Sequence, residues 1–187
     1  MKLHIANGDV YLEDYINIDI QGKLVTELKK KNHNKTTIDK YYKFPFDKSN
    51  KRENREFIID KQMNILTSWD FGACSVEEIV MVSAFEHFTP TQRDFILSEV
   101  WRVLKPKGVF KFDFPDIKET VRQYYENDPE FCMNLIYCNH KNDHSVHHWG
   151  YSEKSITKLL TKMGFGVIMN DTVKHDYPMI GVWGIKK

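Results

Sequence analysis

The sequence has little cysteine. Cys74, Cys132 and Cys138 form an odd, widely spaced set in 187 residues, with no C-x-x-C pair. That pattern excludes a disulfide framework and points to a reducing compartment, so a cytoplasmic protein is expected. Long apolar runs are missing too. None approaches the ~20 residues of a membrane span, and the opening MKLHIANGD has no signal-peptide core. No internal repeat is found. Net charge is small, +1, which alone argues neither for nor against a nucleic-acid partner. What the chain does have is a hydrophobic content of 41%, enough to exclude global disorder and to build one domain with a real core.

The small net charge hides an asymmetry. Residues 21–55 hold eleven Lys or Arg against four Asp or Glu, a net +7, while the rest holds sixteen basic and twenty-two acidic residues. This stretch has few aliphatic residues and weak periodicity. It reads as a basic insertion within a single domain spanning 1–187, its plain role a solvated surface segment. Lys29-Lys30-Lys31 could end a short helix starting near Leu24. Tyr41, Tyr42, Phe44 and Phe46 interleave with lysines and could stack the bases of a nucleic acid. They could equally pin the insertion onto the domain, which is the preferred reading.

The chain is organised around Val76–Ile117. Ile79 to Val82 is a short β-branched apolar run, the mark of a buried strand. Phe85, Glu86, His87 and Phe88 follow where a parallel strand would end. Thr89 can cap a helix, Pro90 fits its first position, and Gln92 completes a capping box. Ile96, Leu97, Val100, Trp101 and Leu104 give that helix one apolar face. Lys105-Pro106-Lys107-Gly108 stop it, and Val109 to Phe114 is the next strand, ended by Pro115. Around this unit, Leu3 to Ala6 reads as the first strand, Ile16 to Ile20 as the second and Phe57 to Asp60 as the third. Asp116 and Glu119 can box a helix from Ile117 to about Glu126, with Pro129 breaking it. Ser152 caps a helix that Gly164 ends, and Phe165–Met169 and Met179–Ile185 are the last strands.

Phe85-Glu86-His87 followed by Arg102-Val103-Leu104-Lys105-Pro106-Lys107-Gly108 resembles class I methyltransferases that use S-adenosylmethionine. One branch carries leucine-glutamate-histidine after its fourth strand and arginine-valine-leucine-lysine-proline-glycine-glycine before its fifth. Lys107 stands where that motif has its first glycine. Tyr15-Ile16-Asn17-Ile18-Asp19 is similar to the second strand of small members with a shortened first crossover, and the likeness covers nearly the whole chain outside the insertion. It implies an α/β, Rossmann-like class I methyltransferase fold. That fold has a seven-stranded, mostly parallel sheet with an antiparallel terminal strand. It also implies S-adenosylmethionine as cofactor, Asp19 as its ribose ligand, a first turn at Asn7 and Gly8, and Asp60 near the adenine. The family's turn usually has two or three glycines, and this one has Gly8 alone after Ala6 and Asn7.

Residue placement adds to the resemblance. Ligands of doubly wound sheets lie beyond the carboxyl ends of the strands. Gly8, Asp19, Asp60, Ser83, Glu86 and His87 all fall at such ends. Glu86 and His87 could serve the cofactor or acceptor, or simply tie loops together. Four of eight histidines crowd into Cys138–Trp149. This loop has three readings: a plain surface loop; a zinc site drawn from Cys132, Cys138, His140, His144, His147 and His148, although no paired-cysteine spacing supports one; or a substrate-side loop supplying a base. The resemblance, in which histidine and tryptophan precede the last helix, favours the third, with His148, His147 or Asp143 catalytic and no metal. The expected activity is methyl transfer to an oxygen or nitrogen of a small, glycan-like acceptor. The rivals are a catalytically silent binder of the same fold and a nucleic-acid methyltransferase using the insertion.

Overall fold

The computed structural model describes residues 1–28, 35–43, 56–170 and 177–187. The amino-terminal half contains β1 (Lys2–Ile5), β2 (Tyr11–Leu12), β3 (Ile16–Asp19), β4 (Lys23–Leu24), β5 (Lys35–Thr36), α1 (Ile38–Lys43), β6 (Ile58–Ile59) and β7 (Lys61–Gln62). The rest contains β8 (Val76–Met81), α2 (Pro90–Val103), β9 (Leu104–Pro115), α3 (Ile117–Tyr124), α4 (Pro129–Tyr137), α5 (Glu153–Lys162), β10 (Phe165–Asn170) and β11 (Met179–Lys186).

Seven strands make one sheet in the order β10-β11-β9-β8-β1-β3-β7. β1, β3, β7, β8 and β9 pair in parallel. The chain-terminal strand β11 is antiparallel to both its neighbours. It inserts between β9 and the edge strand β10. The core follows from alternation along the strands. Leu3 and Ile5 of β1, Ile79 and Met81 of β8, and Phe110, Phe112 and Phe114 of β9 are fully buried. They share one face with Ile96, Leu97 and Val100 of α2 and Ile156 and Leu160 of α5. Thr89 and Gln92 cap α2 reciprocally, with Pro90 in the first turn, and Ser152 caps α5. Pro129 does not end α3. It opens α4 behind the Asp128 cap, because a first-turn proline sacrifices no helical hydrogen bond.

The opposite face is covered differently. Val80 and Val82 meet Val10, Leu12 and Tyr41 in a second cluster. Tyr41, only 4% exposed, thus packs the described part of the insertion onto the sheet. Beside this cluster, Lys111 pairs with Glu78 at 2.9 Å. The helix expected near Leu24 is a single 3-10 turn, Val25–Glu27. Lys29 to Lys31, Phe44, Phe46 and the side chain of Tyr42 lie outside the described residues.

The third strand departs from expectation. Phe57 to Asp60 is not one strand: β6 pairs with β4 in a separate ribbon, and β7 joins the main sheet against β3. Asp60 makes the break. Its amide donates to Asn17 O at 2.8 Å, and its carboxylate turns inward to the Asn17 amide at 2.8 Å. The Arg102–Gly108 motif is structural. Arg102 donates to the carbonyls of Phe71 and Trp69 at 2.8 and 3.0 Å and pairs with Glu99. The β8–β9 register jumps from Val76↔Leu104 to Glu78↔Val109, so residues 105–108 bulge. Gly108 is obligatory, since a Cβ there would meet Lys105 O at 2.8 Å. Lys107 adopts φ +66°, the conformation for which glycine is suited.

Candidate functional site

The parallel strands present their carboxyl ends along one edge, and the chain reverses its direction of travel across the sheet on the two sides of β1. Such a switch point opens a crevice. The turn after β1 is built from two left-handed residues, Ala6 at φ +50° and Gly8 at φ +52°. The Gly8 amide donates to Asp19 Oδ2 at 2.9 Å, and Ile20 N donates to Asp19 Oδ1 at 2.7 Å. An open cleft of about 550 Å³ lies here, its walls including Ala6, Asp19, Met63, Asn64, Phe88 and His144.

Of the residues expected on the cofactor side, Asp19 stands on the cleft wall and Gly8 holds its carboxylate. Asn7 is a buried brace, its Nδ2 donating to Ile58 O at 3.0 Å and Val10 O at 3.3 Å. Asp60 is absent from the cleft wall because its carboxylate accepts from Tyr11 Oη at 2.7 Å and from Asn17. Ser83, at φ +44°, donates its amide to Asp113 Oδ1 at 2.5 Å. Met63, Asn64, Phe88 and His144 on the wall were not read as cofactor-side residues from sequence. The available signal for Met63, Asn64 and Phe88 was their place just after the third and fourth strands, and His144 comes from the histidine loop.

Glu86 faces a second, much smaller pocket with only about 10 Å³ of free space, lined also by Phe114, Ile117, Leu135, His147 and Tyr151. Its carboxylate is 3% exposed overall, and Oε2 has no hydrogen-bond partner among the described residues. Burial, reinforced by the charge of Asp113, lifts Glu86 to about 8. Burial raises Tyr151 to about 12 and lowers His147. His87 is pushed down to about 4 by burial and then by His147.

The histidine loop is strapped over this cavity. His148 N and Trp149 N both donate to Glu86 O, at 2.9 and 3.2 Å. The His147 ring donates from Nδ1 to Leu135 O at 3.1 Å, and its Nε2 lies 3.8 Å from Glu86 Oε1. His87 donates from Nδ1 to Val146 O at 2.9 Å, and its ring packs edge-on to His147 at 4.6 Å. His148 and Asp143 are exposed and line neither cavity. Of the three residues expected to be catalytic, His147 alone reaches one.

A family model described as "Methyltransferase domain" matches residues 4–112. No curated protein sequence matches the chain. Among solved structures, the PH0226 protein of Pyrococcus horikoshii OT3 is 18% identical at TM-score 0.53, covering 100% of this chain and 81% of that one. A SAM-dependent methyltransferase of Thermotoga maritima, described as a possible histamine N-methyltransferase, is 13% identical at TM-score 0.56, covering 100% and 82%. The DhpI–SAM–HEP complex is 12% identical at TM-score 0.54, covering 98% and 77%. At these identities the likeness is one of fold.

Proposed function

Because the chain belongs to the methyltransferase-domain family and is an S-adenosylmethionine-dependent methyltransferase, we propose that its acceptor is a small, glycan-like molecule methylated on oxygen or nitrogen at the Glu86 cavity. The Asp19 cleft fits the cofactor. A carboxylate that accepts from Gly8 N and Ile20 N retains lone pairs for two ribose hydroxyls. Met63, Ile65, Leu66 and Phe88 offer apolar walls for a purine. Ala6, with no side chain beyond Cβ, lets a ligand approach the turn. When bound, S-adenosylmethionine supplies an electrophilic methyl group on a sulfonium.

The protein's part is to position an acceptor and take its proton. Glu86 carries this reading. It is a buried carboxylate with an unengaged oxygen on the wall of a cavity, at the same strand edge as the Asp19 cleft. Phe114, Ile117 and Leu135 wall this pocket, whose walls must part to admit an acceptor, and Tyr151 adds a phenol beside the carboxylate. The Thermotoga relative's description as a possible histamine N-methyltransferase supports a small acceptor.

Sugars and amines screened with labelled S-adenosylmethionine would supply an acceptor. With it, Glu86→Gln is expected to lower turnover by about 100-fold, within the usual range for losing a general base, while cofactor affinity stays near wild type. Exposed His148→Ala serves as the comparison and should turn over normally. Wild-type turnover in Glu86→Gln would remove Glu86 from the reaction.

A further inference from the structure

The Glu86 cavity leaves one cluster unexplained. His87, Cys138 and His147 come from three separate places: the 3-10 turn after β8 (Phe85–His87), the C-cap of α4, and the far end of the histidine loop. One donor atom from each lies within 4.8 Å of the other two. We propose that His87, Cys138 and His147 bind a zinc ion that clamps the loop of residues 138–148 onto the turn after β8.

The ring orientations support this. Each imidazole donates Nδ1–H to a backbone carbonyl, His87 to Val146 O and His147 to Leu135 O. In a neutral ring that leaves the lone pair on Nε2. Carbonyl-anchored histidines of this kind are how proteins aim a ring nitrogen at a metal. The donor set of one thiolate and two imidazoles suits zinc rather than magnesium or calcium, which prefer oxygen. A tetrahedral ion, with Zn–S about 2.3 Å and Zn–N about 2.0–2.1 Å, needs donors roughly 3.3–3.6 Å apart. Cys138 caps α4 at φ +64°.

A second observation points to a cation. Glu86 is 3% exposed, its Oε2 is unpartnered, and its Oε1 lies 3.8 Å from His147 Nε2. An ion at His147 would place positive charge beside this buried carboxyl group and favour its ionised form. Three protein ligands leave a fourth tetrahedral position beside it. Binding releases the Cys138 thiol proton to solvent. The sequence-level zinc set named Cys138 and His147 but not His87, which lies about fifty residues upstream of any local spacing. Cys132, also in that set, is buried within α4, with its Sγ against Thr120 O at 3.9 Å.

The full chain, incubated with zinc, dialysed and subjected to elemental analysis, is expected to retain about one ion per molecule. Chelation should lower its melting temperature. Cobalt in place of zinc should give a thiolate-to-cobalt charge-transfer band. Cys138→Ser should lose the band and weaken zinc binding at least tenfold, His87→Ala should weaken it likewise, and exposed Cys74→Ser should do neither. No retained zinc in the wild type, or an unchanged cobalt spectrum in Cys138→Ser, overturns the proposal. None of these readouts uses S-adenosylmethionine or an acceptor, so the metal site and the acceptor proposal fail separately.

Discussion

Gly8 N donates to Asp19 Oδ2 at 2.9 Å, tying the turn after β1 to the carboxyl end of β3. Two features that the sequence shows eleven residues apart thus form one unit. With a single glycine, the turn keeps its shape because Ala6 accepts the second left-handed position at φ +50°. The carboxylate is fixed on the cleft wall rather than free to rotate into solvent.

The pocket proposed for the acceptor has a tunable wall. A Cβ at Gly150 would lie 2.0 Å from Ile117 Cδ1, and both residues line the Glu86 cavity. The clash falls on the end of a flexible side chain, so Gly150→Ala is expected to cost no more than about 1 kcal/mol of stability. Its main effect is a raised KM for the acceptor, by about fivefold, with cofactor affinity unchanged. Steady-state kinetics beside a cofactor titration checks this, and an equal loss in both would place Gly150 elsewhere in the account.

Lys107 is a strained residue with a known remedy. It is exposed at φ +66°, so Lys107→Gly exchanges left-handed strain for unfolded-state entropy. The net gain should be roughly 0.5–1 kcal/mol, read by urea unfolding. A less stable variant would mean that the Lys107 side chain makes a contribution larger than the strain.

Burial also sets a pH dependence. His4 is fully buried and donates from Nδ1 to Asn17 Oδ1 at 3.0 Å, an oxygen that also accepts from Leu12 N. Burial lowers His4 from 6.5 to about 4. The unfolded chain therefore takes up the proton first, and stability present above 6.5 is lost as pH falls toward 4. Between pH 7 and pH 5 the loss from this group should be about 2 kcal/mol. His4→Gln can keep the hydrogen bond but cannot titrate, so its stability should fall less by that amount over the same interval. Parallel curves for the two proteins would contradict the assignment.

Much of this was legible because it is local. Thr89, Gln92 and Ser152 announce their helices by capping chemistry, and the alternation of Phe110, Phe112 and Phe114 announces a strand with one face buried. Asp19 was singled out by the resemblance of Tyr15–Asp19 to the family's second strand, and it lies on the cleft wall. Asp60 has the same local appearance but a different fate, for no sequence pattern shows a carboxylate turning back onto the neighbouring strand at Asn17. His147 and His148 are adjacent and chemically identical. Only the course of the loop over Glu86 O decides that one ring is half-buried and the other exposed. Glu86 itself was visible as a strand-end residue. Its cavity was not, because that cavity is assembled from β9, α3, α4 and the histidine loop.

Calorimetric titration of the wild-type protein with S-adenosylhomocysteine tests whether the Asp19 cleft binds the cofactor. Binding in the micromolar range is expected, on the order of −8 kcal/mol. Asp19→Ala should weaken it by about 1–3 kcal/mol, the usual value for hydrogen bonds to a charged group. Wild-type protein that gives no heat and no thermal shift with S-adenosylhomocysteine would contradict the account.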